Sequence, residues 1–253
     1  MREAEARNQK SESGGSVIWH DLECGSYSAD LPLWRQLAEA AGGEVLDLGC
    51  GTGRVALYLA RLGHRVAGID TDPVLVAELN RRARSAGLPV AAEIGDARDF
   101  DLGRRFGLVL APMQLLQLFD DARQRRRCLA CASRHLDPGA SLAVALLAPD
   151  GGAEGTEEGP PLPDVRESDG WVYSSLPVAA VTDGSRIFIR RLRQTVSPAG
   201  ELCEEEDEVY LADLPAKTLE TEAGAVGLNA AGRRLIPPTE DHVGSTVVLL
   251  RAG

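Results

Sequence analysis

The sequence predicts an α/β fold: a parallel sheet with helices packed on it, and an antiparallel β insert after the fifth strand. Three observations predict it. Across residues 44–147, short apolar runs alternate with helix-spaced segments, the pattern of strands joined by helical crossovers. Three longer strand-like runs then follow one another with turn residues between them, the pattern of antiparallel hairpins. A helical stretch and two last strand-like runs bring the core to seven strands.

Residues 1–16 are polar and charged and end in Ser-Gly-Gly-Ser, the composition of a disordered tail. Residues 17–41 are expected to form an aromatic and helical cap. They carry Trp19, Tyr27 and Trp34, and Pro32 suits the first turn of a helix reaching Ala41, with Asp30 as its cap. The core is expected over 42–149. Its strands fall at 45–48, 65–69, 90–94, 106–110 and 141–147, and its helices at 54–62, 73–86 and 124–136. Gly63 and Gly87 stop the first two helices.

Residues 150–213 hold a loop at 151–163 and three strands at about 171–181, 186–196 and 201–211. Asp183-Gly184 marks the first turn and Ser197-Pro198-Ala199-Gly200 the second. With Pro198 and Ala199 as the loop, Arg193 faces Glu204, Arg191 faces Glu206 and Arg190 faces Asp207, so opposite charges meet across the hairpin. The acidic run 204–208 is therefore read as strand pairing rather than as a metal site. Trp171 and Tyr173 share one face of the first strand, where they would wall a pocket or pack on the core. The insert is expected to be a lid, a dimerisation surface, or both. Residues 214–253 return to the core with a helix at 214–226 and strands at 231–236 and 246–250.

The composition, 44% hydrophobic and 26% charged, is ordinary for a globular protein. A net charge of −11 and a sequence pI of about 4.9 oppose a nucleic-acid partner, because a polyanion would be repelled. The basic run 123–127 lies in a helical pattern and reads as a solvated helix face. No apolar run reaches the roughly 18 residues that span a bilayer, and the polar first residues lack an apolar signal core. A cytoplasmic location is expected, with no membrane partner. The five cysteines have no framework spacing; Cys128 and Cys131 read as helix packing residues, and no metal is expected.

The informative stretch is Val45-Leu46-Asp47-Leu48-Gly49-Cys50-Gly51-Thr52-Gly53-Arg54. An apolar strand runs into three glycines and then a helix, a turn that lets a ligand touch the backbone. The second strand leads to Asp70, where an acid can accept from both hydroxyls of a ribose. These features fit two cofactors, since Gly51-x-Gly53-x-x-Ala56 also satisfies the dinucleotide fingerprint. Asp47 favours one of them. A carboxylate beside a helix N-terminus opposes a pyrophosphate and suits a cationic ligand end. S-adenosylmethionine (SAM) offers a sulfonium and an ammonium. Asp96, after the third strand, can take the exocyclic amine of adenine, and Asp70 and Asp96 come from adjacent strand ends, as one nucleoside requires.

Here the chain resembles the class I SAM-dependent methyltransferases of small-molecule type. VLDLGCGTG at 45–53 is close to the first motif of that family, with its Asp-x-Gly-x-Gly-x-Gly spacing. The resemblance covers 45–147 and, more loosely, the C-terminal strands. It implies a Rossmann-like, seven-stranded, mostly parallel sheet with helices on both faces and a reversed last strand. It implies that Asp47 with Gly49, Cys50, Gly51 and Gly53 receives the methionine end of SAM. Asp70 would hold the ribose, Asp96 and Ala97 the adenine, and Thr71 and Asp72 would border the nucleoside. Pro112 and Met113, at the end of the fourth strand, complete the cofactor set.

Ala111-Pro112-Met113-Gln114 departs from the Asn/Asp-Pro-Pro-aromatic motif of nucleic-acid amino-methyltransferases. With the acidic charge, this directs the reading to a small-molecule acceptor, methylated on O, N or C. Methyl transfer from sulfur is an in-line displacement, so alignment is the main task. A base is needed only if the acceptor carries a proton. His20, Asp21, Tyr27 and His242 are candidates. His242 lies on the 237–242 turn, and it and Tyr27 are the expected catalytic residues; a turn cap and a packing residue are the plain alternatives. Two other functions stay open: a SAM-binding protein that does not methylate, and a nicotinamide-dependent oxidoreductase.

Overall fold

A computed structural model describes residues 16–147, 162–182, 186–239 and 243–253. The expected tail at 1–15, most of the 151–163 loop, the Asp183-Gly184 turn and His242 lie outside the described residues. Helix α1 covers 16–24. After it come α2 (Leu31–Ala41), β1 (Val45–Leu48), α3 (Arg54–Arg61), β2 (Val66–Asp70), α4 (Pro73–Ser85), β3 (Val90–Ile94) and β4 (Phe106–Ala111). A 3₁₀ turn at Leu115–Leu118 leads to α5 (Ala122–Arg134) and β5 (Leu136–Leu147). The chain continues through β6 (Asp164–Ser168), β7 (Trp171–Thr182), β8 (Arg186–Val196), β9 (Leu202–Ala212), α6 (Ala216–Gly224), β10 (Leu228–Ile236) and β11 (Ser245–Ala252). Two compact units divide the chain between Tyr27 and Ser28 and between Tyr210 and Leu211.

The larger unit contains the expected seven-stranded sheet, in the order β10-β11-β5-β4-β1-β2-β3. Strands β1 to β5 pair in parallel, whereas β11 runs antiparallel to both β5 and β10. All four residues of β1 are buried, as a strand covered on both faces requires. Helices α5 and α6 contribute Cys128, Leu129, Cys131, Ala132, Leu219 and Ala223 to the core. The order reverses between β1 and β4. The chain leaves β1 toward β2 and β3 on one side and returns to β4 and β5 on the other, and such a switch point opens a crevice at the strands' carboxyl ends.

Two core strands begin earlier than their hydrophobic patterns suggest. β5 starts at Leu136, not at 141, because a register shift against β4 between Phe106 and Leu108 absorbs Pro138 and Gly139. β10 starts at Leu228, not at 231, through an irregularity at Gly232, whose φ of 115° suits glycine. In the basic run Arg123, Arg126 and Arg127 are exposed, as expected of a solvated face, whereas Arg125 is buried and forks onto Glu222 of α6 at 2.9 and 2.7 Å.

The smaller unit holds a four-stranded antiparallel sheet, β6-β7-β8-β9, where three strands are expected from sequence. The added strand β6 closes onto β7 through Asp169 (φ 52°) and Gly170 (φ 77°), a two-residue turn with both central φ angles positive. The β8–β9 register differs from the expected one by a residue. Ser197 N–H donates to Glu201 O at 2.9 Å and Gly200 sits at φ 84°, which makes the loop three residues long. The slip replaces the expected partners. Gln194 now bonds Glu204 at 2.6 Å, Arg193 pairs with Asp207 at 2.8 Å and Arg190 with Glu208 at 3.5 Å. Helix α1, which sequence reading leaves as an aromatic segment, sets Trp19 edge-on to Tyr173 at 5.6 Å and Glu23 into the fork of Arg193 at 2.7 and 2.8 Å. Among the described residues, no helix is long and apolar enough to cross a membrane.

Candidate cofactor site

The site is built where β1, β2, β3 and β4 end. β1 delivers Asp47 as the third of its four buried residues, in register with Gly68 of β2 and Leu110 of β4. Gly49, Gly51 and Gly53 then turn the chain with φ of 67°, 51° and 94°, a region that side chains disfavour. A Cβ on Gly53 would lie 2.2 Å from Leu79 Cδ1, so the turn also needs glycine for close packing against α4. Gly68 has a matching role: a Cβ there would lie 2.8 Å from Cys50 Sγ, so its absence makes room for the buried Cys50 side chain. Burial holds the Cys50 thiol neutral by pushing its pKa far up, aided by the charges of Asp47 and Asp70. Cys50 is thus a packing member of the loop.

Asp70 closes the loop. Its Oδ2 accepts from Gly51 N–H at 2.8 Å and its Oδ1 from Asp72 N–H at 3.0 Å. Gly95 N–H donates to Asp70 O at 2.9 Å and so fastens the end of β3 beside the end of β2. Asp72 caps α4, with Oδ1 accepting from Val74 and Leu75 N–H at 2.8 and 3.3 Å. Thr71 between them is exposed. Asp96 follows β3, but its carboxylate is held by Arg98, whose Nε and Nη2 donate at 2.9 and 2.6 Å. The Arg98 guanidinium keeps the Asp96 carboxyl below the usual carboxylate range. Arg98 also bonds Gln124 and lies 5.3 Å from the Phe119 ring centre. Ala97 is buried next to this pair.

β4 brings the remaining side. After the buried Pro112, Met113 and Gln114 adopt left-handed φ of 50° and 60° in succession, a costly conformation for two non-glycine residues. The turn is held by Gln117, buried, which accepts from Leu147 N–H at 2.7 Å and donates to Ala212 O at 3.1 Å. It presses Leu115 against the loop, 3.1 Å from where a Cβ on Gly49 would stand. Asp47, the glycine loop, Asp70, Asp96 and Met113 therefore share one edge of the sheet.

The electrostatics of this edge are anionic. Asp47 is fully buried, and among the described residues its Oδ1 has no hydrogen-bond partner. Burial raises its pKa from 3.8 to about 7, against the pull of Arg54 and with a further push from Asp70. Two residues absent from the sequence-based site complete the charge pattern. Asp30, buried, accepts from Trp34 Nε1 at 2.7 Å and from both Nη atoms of Arg54 at 2.5 and 2.7 Å. Asp30 occupies the capping position of α2 but makes no side-chain capping bond, which corrects the role expected for it. Tyr27 is buried and belongs to the smaller unit, as do His20 and Asp21.

An unsatisfied buried carboxylate beside a helix N-terminus fits a cation and repels a phosphate. The donor set therefore suits the ammonium and sulfonium of SAM and not a dinucleotide. Comparison with known proteins agrees. Residues 45–139 match the family model of the methyltransferase domain. By this match the segment is similar to methyltransferase domains. The chain is 31% identical over 113 residues to a ubiquinone biosynthesis O-methyltransferase of Nitrobacter winogradskyi, covering 45% of this chain and 42% of that one. It is 43% identical over 65 residues to an S-adenosyl-L-methionine-dependent Diels-Alderase, iccD, of Talaromyces variabilis, covering 26% and 22%. These matches span less than half the length of either relative. Among solved structures, the sugar N-methyltransferase KedS8 of Streptoalloteichus superposes with a TM-score of 0.73 over 93% of this chain and 91% of its own, at 19% identity, a likeness of fold.

Proposed function

We propose that the chain binds SAM at the carboxyl ends of β1–β4 and moves its methyl group to a small-molecule O, N or C nucleophile. The observation that carries this reading is the pairing of Asp47, buried with an unsatisfied oxygen, with a glycine loop that Asp70 closes from the next strand. When bound, SAM supplies a methyl group on a positively charged sulfur. In this reading the chain's residues bind and orient. Asp47 faces the cationic methionine end, and the backbone of Gly49, Cys50, Gly51 and Gly53 lines it. Asp70 exchanges its bond to Gly51 for the ribose hydroxyls, with Thr71 and Asp72 alongside. Asp96 and Ala97 receive the adenine, and Pro112 and Met113 border the methyl. Alignment of this kind supplies several kcal/mol without a base. Tyr27 and His242 are the proposed bases for an acceptor that carries a proton.

The small-molecule acceptor is supported by the names of proteins it resembles, a ubiquinone biosynthesis O-methyltransferase and a sugar N-methyltransferase. A net charge of −11 supports a role apart from nucleic acid. The reading extends to a homodimer through the β6–β9 sheet, checked by light scattering, and to a cytoplasmic location, checked by fractionation. The match to a SAM-dependent Diels-Alderase motivates one second reading, a SAM-binding protein that does not methylate. Isothermal calorimetry with SAM tests the cofactor. Incubation with SAM and a metabolite extract then separates the two readings: S-adenosylhomocysteine and a product heavier by one methylene support methylation, and SAM binding without either supports the second.

A further inference from the structure

In the larger unit Asp30 and Asp47 are buried and Asp70 is half-buried, and the Arg54 guanidinium acts on the first two. Arg54 is the first residue of α3 and follows the glycine loop directly. Its charge is close enough to draw the Asp47 carboxyl down, yet its fork is bonded to Asp30 at 2.5 and 2.7 Å, while Asp47 Oδ1 has no partner among the described residues. A planar fork matched to a carboxylate holds that carboxylate in a fixed geometry. Trp34 Nε1, at 2.7 Å from Asp30 Oδ2, fixes Asp30 in turn. The guanidinium that directly follows the glycine loop is therefore tied to Asp30 at the start of α2 rather than to Asp47.

We propose that Asp30 is a positioning residue: it holds Arg54 away from Asp47 and so keeps a buried anionic site open for the cationic end of SAM. This rests on the cofactor reading above. Without the Asp30 charge, Arg54 would lose this fork while Asp47 Oδ1 stays open, and a guanidinium turned onto Asp47 would occupy the place of the ligand's ammonium. α2 and the glycine loop are thereby coupled through the Asp30–Arg54 ion pair.

The test uses Asp30→Asn, which still accepts from Trp34, and the double variant Asp30→Asn/Arg54→Gln, which leaves no charge unpaired. Calorimetry with SAM is expected to show Asp30→Asn binding at least 10-fold more weakly than the parent, and the double variant within about 3-fold of it. A double variant no better than the single one overturns the proposal, because a merely structural role would not be rescued by removing the arginine. Should Asp30→Asn not fold, the double variant decides alone: a loss of 10-fold or more there overturns it. A ligand-free readout stands beside these. Arg54 paired with Asp47 lets that acid ionise at lower pH, so the fall in stability of the parent between about pH 4 and 7 should flatten in Asp30→Asn. An unchanged profile overturns the proposal even if the parent binds no SAM, whereas absence of SAM binding with a flattened profile overturns only the cofactor reading.

Discussion

Gly51 N–H donates to Asp70 Oδ2 at 2.8 Å, so the acid expected to hold a ribose also closes the glycine loop from the neighbouring strand. Asp70→Ala removes both functions. SAM affinity is expected to fall 10- to 100-fold, since a hydrogen bond to a charged group contributes about 1.5–3 kcal/mol. Calorimetry measures it, and unchanged affinity counts against the cofactor reading.

Asp47 makes stability depend on pH. Its pKa is about 7 in the fold against 3.8 ordinarily, so the folded chain keeps a proton that the unfolded chain gives up from about pH 4. Stability therefore falls as pH rises from about 4 to 7 and levels off above, a linkage on the order of 4 kcal/mol. Asp47→Asn should flatten that interval in urea titrations at pH 5 and 8; the same slope in the variant would sink the assignment. A cationic ligand favours the carboxylate, so SAM binding at pH 6 should release a proton. Binding enthalpies then differ between buffers of different ionisation enthalpy.

Much of this edge can be read from sequence because its signals are local. Three alternate glycines have to follow a strand and precede a helix, and all three take positive φ. Asp30–Arg54 has no such signal: the two lie 24 residues apart, and an acid ahead of a proline-started helix reads as a cap. A buried guanidinium outcompetes the backbone N–H groups for that carboxylate. The β insert shows the same contrast. Asp169-Gly170 announces β6 as plainly as any turn in the chain, whereas the one-residue slip beyond Ser197 depends on Gly200 adopting a left-handed φ, which Pro198-Ala199 alone does not disclose.

Gly53 and Gly63 share a φ of 94° but differ in surroundings. Gly63→Ala meets nothing within 4 Å and should cost about 1 kcal/mol of backbone strain. Gly53→Ala adds a 2.2 Å collision with buried Leu79 and should cost roughly 2–4 kcal/mol in total. Thermal denaturation of the pair separates the two effects; equal losses would refute the steric part.

Arg125 and Glu222 form a buried pair between α5 and α6, with Arg125 Nη1 also donating to Phe119 O at 3.3 Å. Glu222→Gln should destabilise by about 3–5 kcal/mol, because it strands a buried charge. Arg125→Met/Glu222→Leu should recover most of that loss. A denaturant double-mutant cycle reads the coupling, and independent, additive losses would argue that the pair is solvated.

β9 is the outer strand of its sheet, and it carries five consecutive acids, Glu204, Glu205, Glu206, Asp207 and Glu208. An open outer strand is a template on which another chain can crystallise into β structure. Here a second copy approaching edge to edge would set carboxylate against carboxylate. The acids thus make the strand a poor seed for fibrils at neutral pH, and they confine any self-association of this sheet to its faces or to β6.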